Sequence, residues 1–183
     1  MDGEDLQVKK YFNNKKNGLY VDVGAYHPIH RNNTKLLHDM GWEGINIDIS
    51  DFSIKLFEHL RPDDVNLNLA VSKTNGYVDM FYQKKLSQIL TIKKKIAENV
   101  FQGKIKSKKI LSKTLSQILN ESKYSERKID FLDVDVEGAD LDVLESLDFS
   151  KYSPELICVE YIGKNKNNSD IFNFLKNKNY ENI

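Results

Sequence analysis

Ile129–Asp140 reads IDFLDVDVEGAD, and the reading of this stretch decides the fold. Phe131, Leu132, Val134 and Val136 are the residue types of a buried strand. Set among them at every second position are Asp133, Asp135 and Glu137. A strand has a side-chain period of two, so all three carboxylates fall on one face. Carboxylates resist burial. The strand must therefore emerge at an opening where charge has a use. Gly138 and the amphipathic run ADLDVLESL follow, which makes a strand, a turn and a helix.

Outward from this stretch the same unit recurs. GLYVDVG reads as a strand ending in a turn, and NTKLLHDMGW as a short helix closed by Gly41. GINIDIS is a second strand, and DFSIKLFEHLRPDD a helix that stops before Pro62. VNLNLAVS is a third strand, and GYVDMFY an added antiparallel one after the turn at Thr74–Gly76. KILSKTLSQILNE reads as a strand running into a helix, ELICVEYI as a further strand, and SDIFNFLKNKNY as a last helix started by Ser169 and Asp170. Strands alternating with helices argue for an α/β domain with a mainly parallel sheet. Residues 84–108 stand apart as a lysine-rich insertion or lid, a loop with one helix over SQILTIKKKIAENVF.

The bulk numbers agree with one domain over 1–183. The chain has 183 residues, 40% apolar and 30% charged, which is enough to fill a real core. Net charge is zero, so no global field favours nucleic acid or an anionic membrane. The charges are segregated, however. Lys84–Lys113 holds ten lysines against Glu98, and Asp130–Glu160 holds ten acids against Lys151. The polar start MDGEDLQVKK is unlike a secretory signal, and no apolar run approaches the roughly 18 residues that span a bilayer. A cytoplasmic protein is expected, with its single cysteine, Cys158, in the core.

In open parallel sheets, ligands sit beyond the carboxyl ends of the strands where the strand order reverses. Asp22 and Gly24, Asp48, Asn68 and Ala70, Asp135 and Glu137, and Glu160 all lie at such ends. Asp48 follows Asp22 by 26 residues and suits a carboxylate that accepts both ribose hydroxyls; its alternative is to cap the helix near Asp51. A dinucleotide turn needs G-x-G-x-x-G, whereas DVGAYHPIH has one glycine, with Tyr26 and Pro28 near the places of the others. No P-loop pattern is present. These features point to an adenosine ligand without phosphates, such as S-adenosylmethionine (SAM).

YVDVGAYHPIHRNNT, GWEGINIDIS, VNLNLAVS, SKTLSQIL and IDFLDVDVEGADLDVLESLDFSKYSPELICVE together resemble the FkbM family of class I SAM-dependent methyltransferases, in the family's order and over nearly the whole chain. The resemblance implies a Rossmann-like sheet with helices on both faces and O-methylation of a small hydroxylated acceptor, a sugar or glycan. It also implies roles. Asp22, Gly24, Ala25 and Tyr26 would form the SAM turn, and Asp48 would hold the ribose. Asn68 and Ala70 would lie near the adenine, and Asp135 and Glu137 would face the transferred methyl group. Two departures stand out. Asp133 occupies a position where the family usually has lysine or serine, and the chain ends at NYENI, about where the family's closing hairpin begins. The expected sheet therefore lacks that hairpin, and its open edge would favour a homodimer.

Two chemical uses fit the acidic row. Asp135 or Glu137 would take the acceptor's hydroxyl proton, because crowded carboxylates have raised pKa values. Alternatively they would hold a divalent cation, Mg²⁺ or Mn²⁺, as hard oxygen ligands. His27 and His30 are further bases, and Glu137 could instead cap the helix opening at Gly138. The lysine-rich stretch would draw an anionic sugar; with Phe101 as its one aromatic, it offers nucleic acid little to stack on. The rival to an enzyme is a non-catalytic or truncated SAM- or nucleotide-binding module.

Overall fold

A computed structural model describes residues 3–13, 15–84, 89–160 and 166–183. In chain order the elements are α1 (Glu4–Tyr11), β1 (Leu19–Val23), α2 (Lys35–Asp39), β2 (Glu43–Asp48) and α3 (Asp51–Leu60). Then come β3 (Val65–Asn68), β4 (Ala70–Val71), β5 (Gly76–Tyr82), α4 (Lys94–Val100) and β6 (Lys106–Lys113). The last are α5 (Leu115–Glu121), β7 (Phe131–Val134), α6 (Asp140–Glu145), β8 (Leu156–Val159) and α7 (Lys166–Asn177).

Five strands form an all-parallel sheet in the order β3-β2-β1-β7-β8. Every residue of β1 and β7 is buried, as a parallel sheet covered on both faces requires. Alternation along the strands sorts the two faces. Leu19, Val21, Val23, Ile45, Ile47, Leu132 and Val134 pack with α5, α6 and Ile171 of α7. Tyr20 and Phe131 point the other way, toward Val8 and Phe12 at the α1 end, Leu37 of α2, and Trp42. Each such buried side chain contributes about 1.5–3 kcal/mol of transfer free energy.

A second sheet, ordered β4-β6-β5, carries the antiparallel pairing expected for GYVDMFY. VNLNLAVS, expected as one strand, is two. That run divides at Leu69: Val65–Asn68 pairs with β2, while Ala70–Val71 leaves to pair with β6. The lysine-rich stretch also differs from expectation. Its helix is the short α4, preceded by Thr91, which forms an isolated bridge to Phe81. Lys106 and Lys108 belong to β6, so the stretch ends within a strand. The part of the expected insertion at 85–88 lies outside the described residues. Helix α1 was not legible, because EDLQVKKY offers a weak apolar stripe. Among the described residues no helix is long and apolar enough to cross a membrane.

One packing detail fixes the β1–β2 register. Tyr20 lies opposite Gly44, and a Cβ on Gly44 would sit 2.1 Å from the Tyr20 ring. The missing side chain is what admits the ring. Gly44→Ala should therefore destabilise the fold by about 1–3 kcal/mol through overpacking, read as a lowered urea midpoint at unchanged slope. An unchanged midpoint would contradict this packing.

Candidate functional site

The strand order reverses at β1, which has β2 on one side and β7 on the other. There the two outgoing turns touch. Gly24 takes a left-handed φ of 89°, and a Cβ on it would lie 1.8 Å from the Asp135 carbonyl oxygen. Glycine is required twice over, for the dihedral and for the approach. The Gly24 and Ala25 N–H groups donate to Ile47 O at 2.8 and 3.1 Å, and the Asp135 N–H donates to Val23 O at 2.9 Å. Over this junction opens a cavity of about 440 Å³. Asp22, Asp48, Asp133, Asp135 and Glu137 line it, together with an apolar wall that includes Ile49, Leu69, Leu90 and Ile92.

The turn after β1 is built around a buried cation. Arg61, 1% exposed, donates through Nη2 to Pro28 O (2.6 Å) and Asn32 Oδ1 (2.8 Å). Its Nη1 donates to Thr34 Oγ1 (2.9 Å) and Tyr20 Oη (3.0 Å). Asn32 Nδ2 and Thr34 Oγ1 in turn each donate to Asp22 Oδ2 at 2.9 Å. Burial pushes the Asp22 carboxyl upward, and these two donors with the nearby Arg61 charge oppose that rise. Behind this layer Asp64 accepts from Tyr20 Oη (2.5 Å), Gly44 N (2.8 Å) and Asn46 Nδ2 (2.9 Å). The site thus rests on a polar network within the apolar layers.

Asp48 ends β2 with both oxygens engaged. Oδ2 accepts from Tyr26 N at 2.8 Å and Oδ1 from Ser50 N at 2.6 Å, and burial raises its pKa to about 6. It does not cap α3; Ser50 does, its Oγ accepting from Ser53 N. Asn68 donates to Asp48 O at 2.9 Å and supports that strand end without lining the cavity. His27 is also absent from the cavity lining. Its Nδ1 accepts from the N–H groups of Ile29 (3.0 Å) and His30 (3.1 Å), so the imidazole closes a turn.

Strand β7 ends at Val134, so Asp133 alone of the acidic row lies within it, and Asp135 and Glu137 follow in the loop. Asp133 stands opposite Asp22 in one register and Cys158 in the other. It accepts from Asn33 Nδ2 at 3.2 Å and from the Cys158 thiol, and among the described residues no ion pair joins it to a lysine. Burial and the Asp22 charge hold its carboxyl well above the usual range. The same surroundings push the thiol of the partly buried Cys158 upward, which keeps it protonated.

Asp135 opens into the cavity, and burial with the charges of Asp140 and Asp22 raises it to about 6. It shares a hydrogen bond with Glu160, which burial and its acidic neighbours raise to about 7. Glu137 takes a left-handed φ of 53°, uncommon for a non-glycine residue, and its carboxyl is raised by burial and by Asp135. Two contacts hold that conformation. Asp140 accepts from Val136 N (3.1 Å) and Gly138 N (3.2 Å), and Thr91 Oγ1 donates to Glu137 O (3.0 Å). Thr91, fully buried, joins the segment before α4 to this loop, and the ion pair of Lys93 with Asp142 ties the same segment to α6.

The cavity thus gathers Asp22, Gly24, Ala25, Tyr26, Asp48, Ala70, Asp135 and Glu137, and leaves His27 and Asn68 outside its lining. Arg31, Asn33, Arg61, Thr91 and the pairing of Glu160 with Asp135 carried no readable signal. The cation expected at Asp135 and Glu137 finds no support: among the described residues no group of three or more His, Cys, Asp or Glu side chains is arranged to hold a metal. The family model described as methyltransferase FkbM domain matches residues 22–181. No curated protein and no solved structure matches the chain.

The raised carboxyls set a direction for stability. Asp48 and Asp135 move from an ordinary 3.8 to about 6, and Glu160 from 4.5 to about 7. In that window the folded chain holds more protons than the unfolded chain, so stability falls as pH rises. Urea denaturation from about pH 5 to about pH 8 should show a declining unfolding free energy, and a rising profile would contradict the assignment.

Proposed function

The chain belongs to the FkbM methyltransferase family, and on that premise we propose that it is a SAM-dependent O-methyltransferase acting on a hydroxyl of a small acceptor of the sugar or glycan class. The observation that carries this reading is the saturation of the β1 turn. The N–H groups of Gly24, Ala25, Tyr26, His27, Ile29 and His30 all donate to acceptors within the chain. A pyrophosphate needs free backbone donors at that place, and five carboxylates around the cavity would repel it. An adenosine carrying a positive sulfur suits the same surroundings.

In this reading Asp48 would hold the ribose hydroxyls, with lone pairs left after its two backbone donors. The apolar wall of Ile49, Leu69, Leu90 and Ile92 would take the adenine. SAM, when bound, supplies an electrophilic methyl group on a positively charged sulfur. The chain's own part is proton transfer and placement. A sugar hydroxyl is a weak nucleophile until its proton leaves, and Asp135 and Glu137 are the proposed acceptors of that proton. Their raised pKa values favour that role over the weak basicity of an ordinary carboxylate. Asp140 and Thr91 would fix the loop that aims Glu137. The exposed Lys95, Lys104, Lys106 and Lys108 of the lysine-rich stretch would bias the choice toward anionic acceptors.

The test is methyl transfer from labelled SAM to a panel of sugars and glycans, with wild type, Asp135→Asn and Glu137→Gln. Wild type should label at least one acceptor, while at least one variant loses about 10²–10⁴-fold in kcat yet still binds SAM. A folded wild type that labels none of the hydroxylated acceptors would overturn the proposal.

A further inference from the structure

We propose that residues 90–92 form a two-faced strap that couples filling of the adenosine end of the cavity to the placement of Glu137. This coupling rests on the SAM reading and deepens it. The three residues divide their side chains between two neighbours. Leu90 and Ile92 line the cavity, half-buried against Ala70, Met80 and Ile110 of the second sheet. Thr91 between them is fully buried and takes no part in the lining. Its hydroxyl donates to Glu137 O at 3.0 Å and accepts from Lys93 N at 3.0 Å, so it is engaged both as donor and as acceptor.

The backbone of Thr91 is anchored elsewhere. Phe81 N of β5 donates to Thr91 O at 2.8 Å, and Thr91 N donates back to Phe81 O at 3.4 Å. One residue therefore joins the second sheet, by its backbone, to the loop after β7, by its side chain. What it grips there matters. Glu137 holds a left-handed φ of 53°, which a non-glycine residue keeps only where its surroundings impose it. A bond to that residue's own carbonyl helps to decide where its carboxyl is aimed.

The segment beyond the strap is built to open at low cost. Helix α4 has seven residues, no side-chain cap at its start, and Ala97 as its buried residue. So short a helix is not stable by itself, and few buried apolar contacts mark a segment that opens locally. Ile96 lies against Gly138, where an added Cβ would come within 3.0 Å of it, and Lys93 pairs with the partly exposed Asp142 of α6. Both contacts fall beside the one that Thr91 makes. A ligand favours the state in which it finds more contact. Adenosine meets Leu90 and Ile92 when the strap is docked, and in that state Thr91 holds Glu137. Cofactor binding thus sets the proposed base before the acceptor arrives, and by reciprocity the grip on Glu137 adds to cofactor affinity.

Amide hydrogen exchange of the intact chain, with and without saturating S-adenosylhomocysteine, tests the coupling. In wild type the ligand should slow exchange at least about fivefold over residues 90–100 and over residues 137–140. Thr91→Val removes the hydroxyl and keeps the branched shape. Slowing should then persist over 90–100 and vanish over 137–140, with the ligand bound about fivefold more weakly. Thr91→Ser should restore both. Ile92→Ala trims the cavity face and leaves the hydroxyl in place, so it should diminish the slowing over 137–140 even if Thr91→Val fails to fold. An undiminished effect there would overturn the coupling. So would slowing over 137–140 that survives Thr91→Val, since the ligand would then act on the loop directly. Wild-type binding without slowing over 137–140 overturns the strap and leaves the adenosine site standing. A folded wild type that binds no ligand overturns both.

Discussion

The approach of Gly24 to the Asp135 carbonyl is the constraint on which the site depends. A backbone oxygen where a Cβ would have to be brings the ends of β1 and β7 together at the point where the strand order reverses. Their register then sets Asp22 against Asp133, two carboxylates in adjacent buried strands. Asp135 is the next residue outward, at the mouth of the cavity. One glycine thereby determines both the opening and the crowding of acids around it.

Such crowding is costly without compensation. Arg61 supplies part of it from within the core. Its guanidinium reaches Asp22 through Asn32 and Thr34, and it also meets Tyr20, whose hydroxyl donates to Asp64. Arg61 also lies over the rings of Tyr20 and Phe57, 5.9 and 5.0 Å from their centroids, a cation held by aromatic faces as well as donors. The remaining cost shows in the carboxyls of Asp133, Asp135, Glu137 and Glu160, which burial and mutual charge raise above their ordinary range. The same acidic lining leaves the cavity complementary to a positive ligand.

Much of this was legible in the sequence because it is local. The alternating run Phe131–Val136, the lone glycine of DVGAYHPIH and the acid ending GINIDIS each betray a strand end through two or three neighbouring residues. The α/β alternation and the acidic address at the strand ends followed from that. Arg61 was opaque, since its partners Pro28, Asn32 and Thr34 lie about thirty residues away and ordinary surface arginines look the same in one dimension. Thr91 was hidden for a similar reason: its partner is the carbonyl of Glu137, and carbonyls carry no sequence signal. The misplaced roles were competitions between near neighbours. Ser50 rather than Asp48 caps α3, and His27 turns its nitrogen to its own loop instead of the cavity.

The most direct measurement is calorimetric titration of the chain with SAM and, separately, with NAD. A turn whose N–H groups are already satisfied, facing an acidic cavity, predicts saturable binding of SAM and none of NAD at the same concentrations. NAD binding as tight as that of SAM would contradict the account, as would a folded chain that takes up neither.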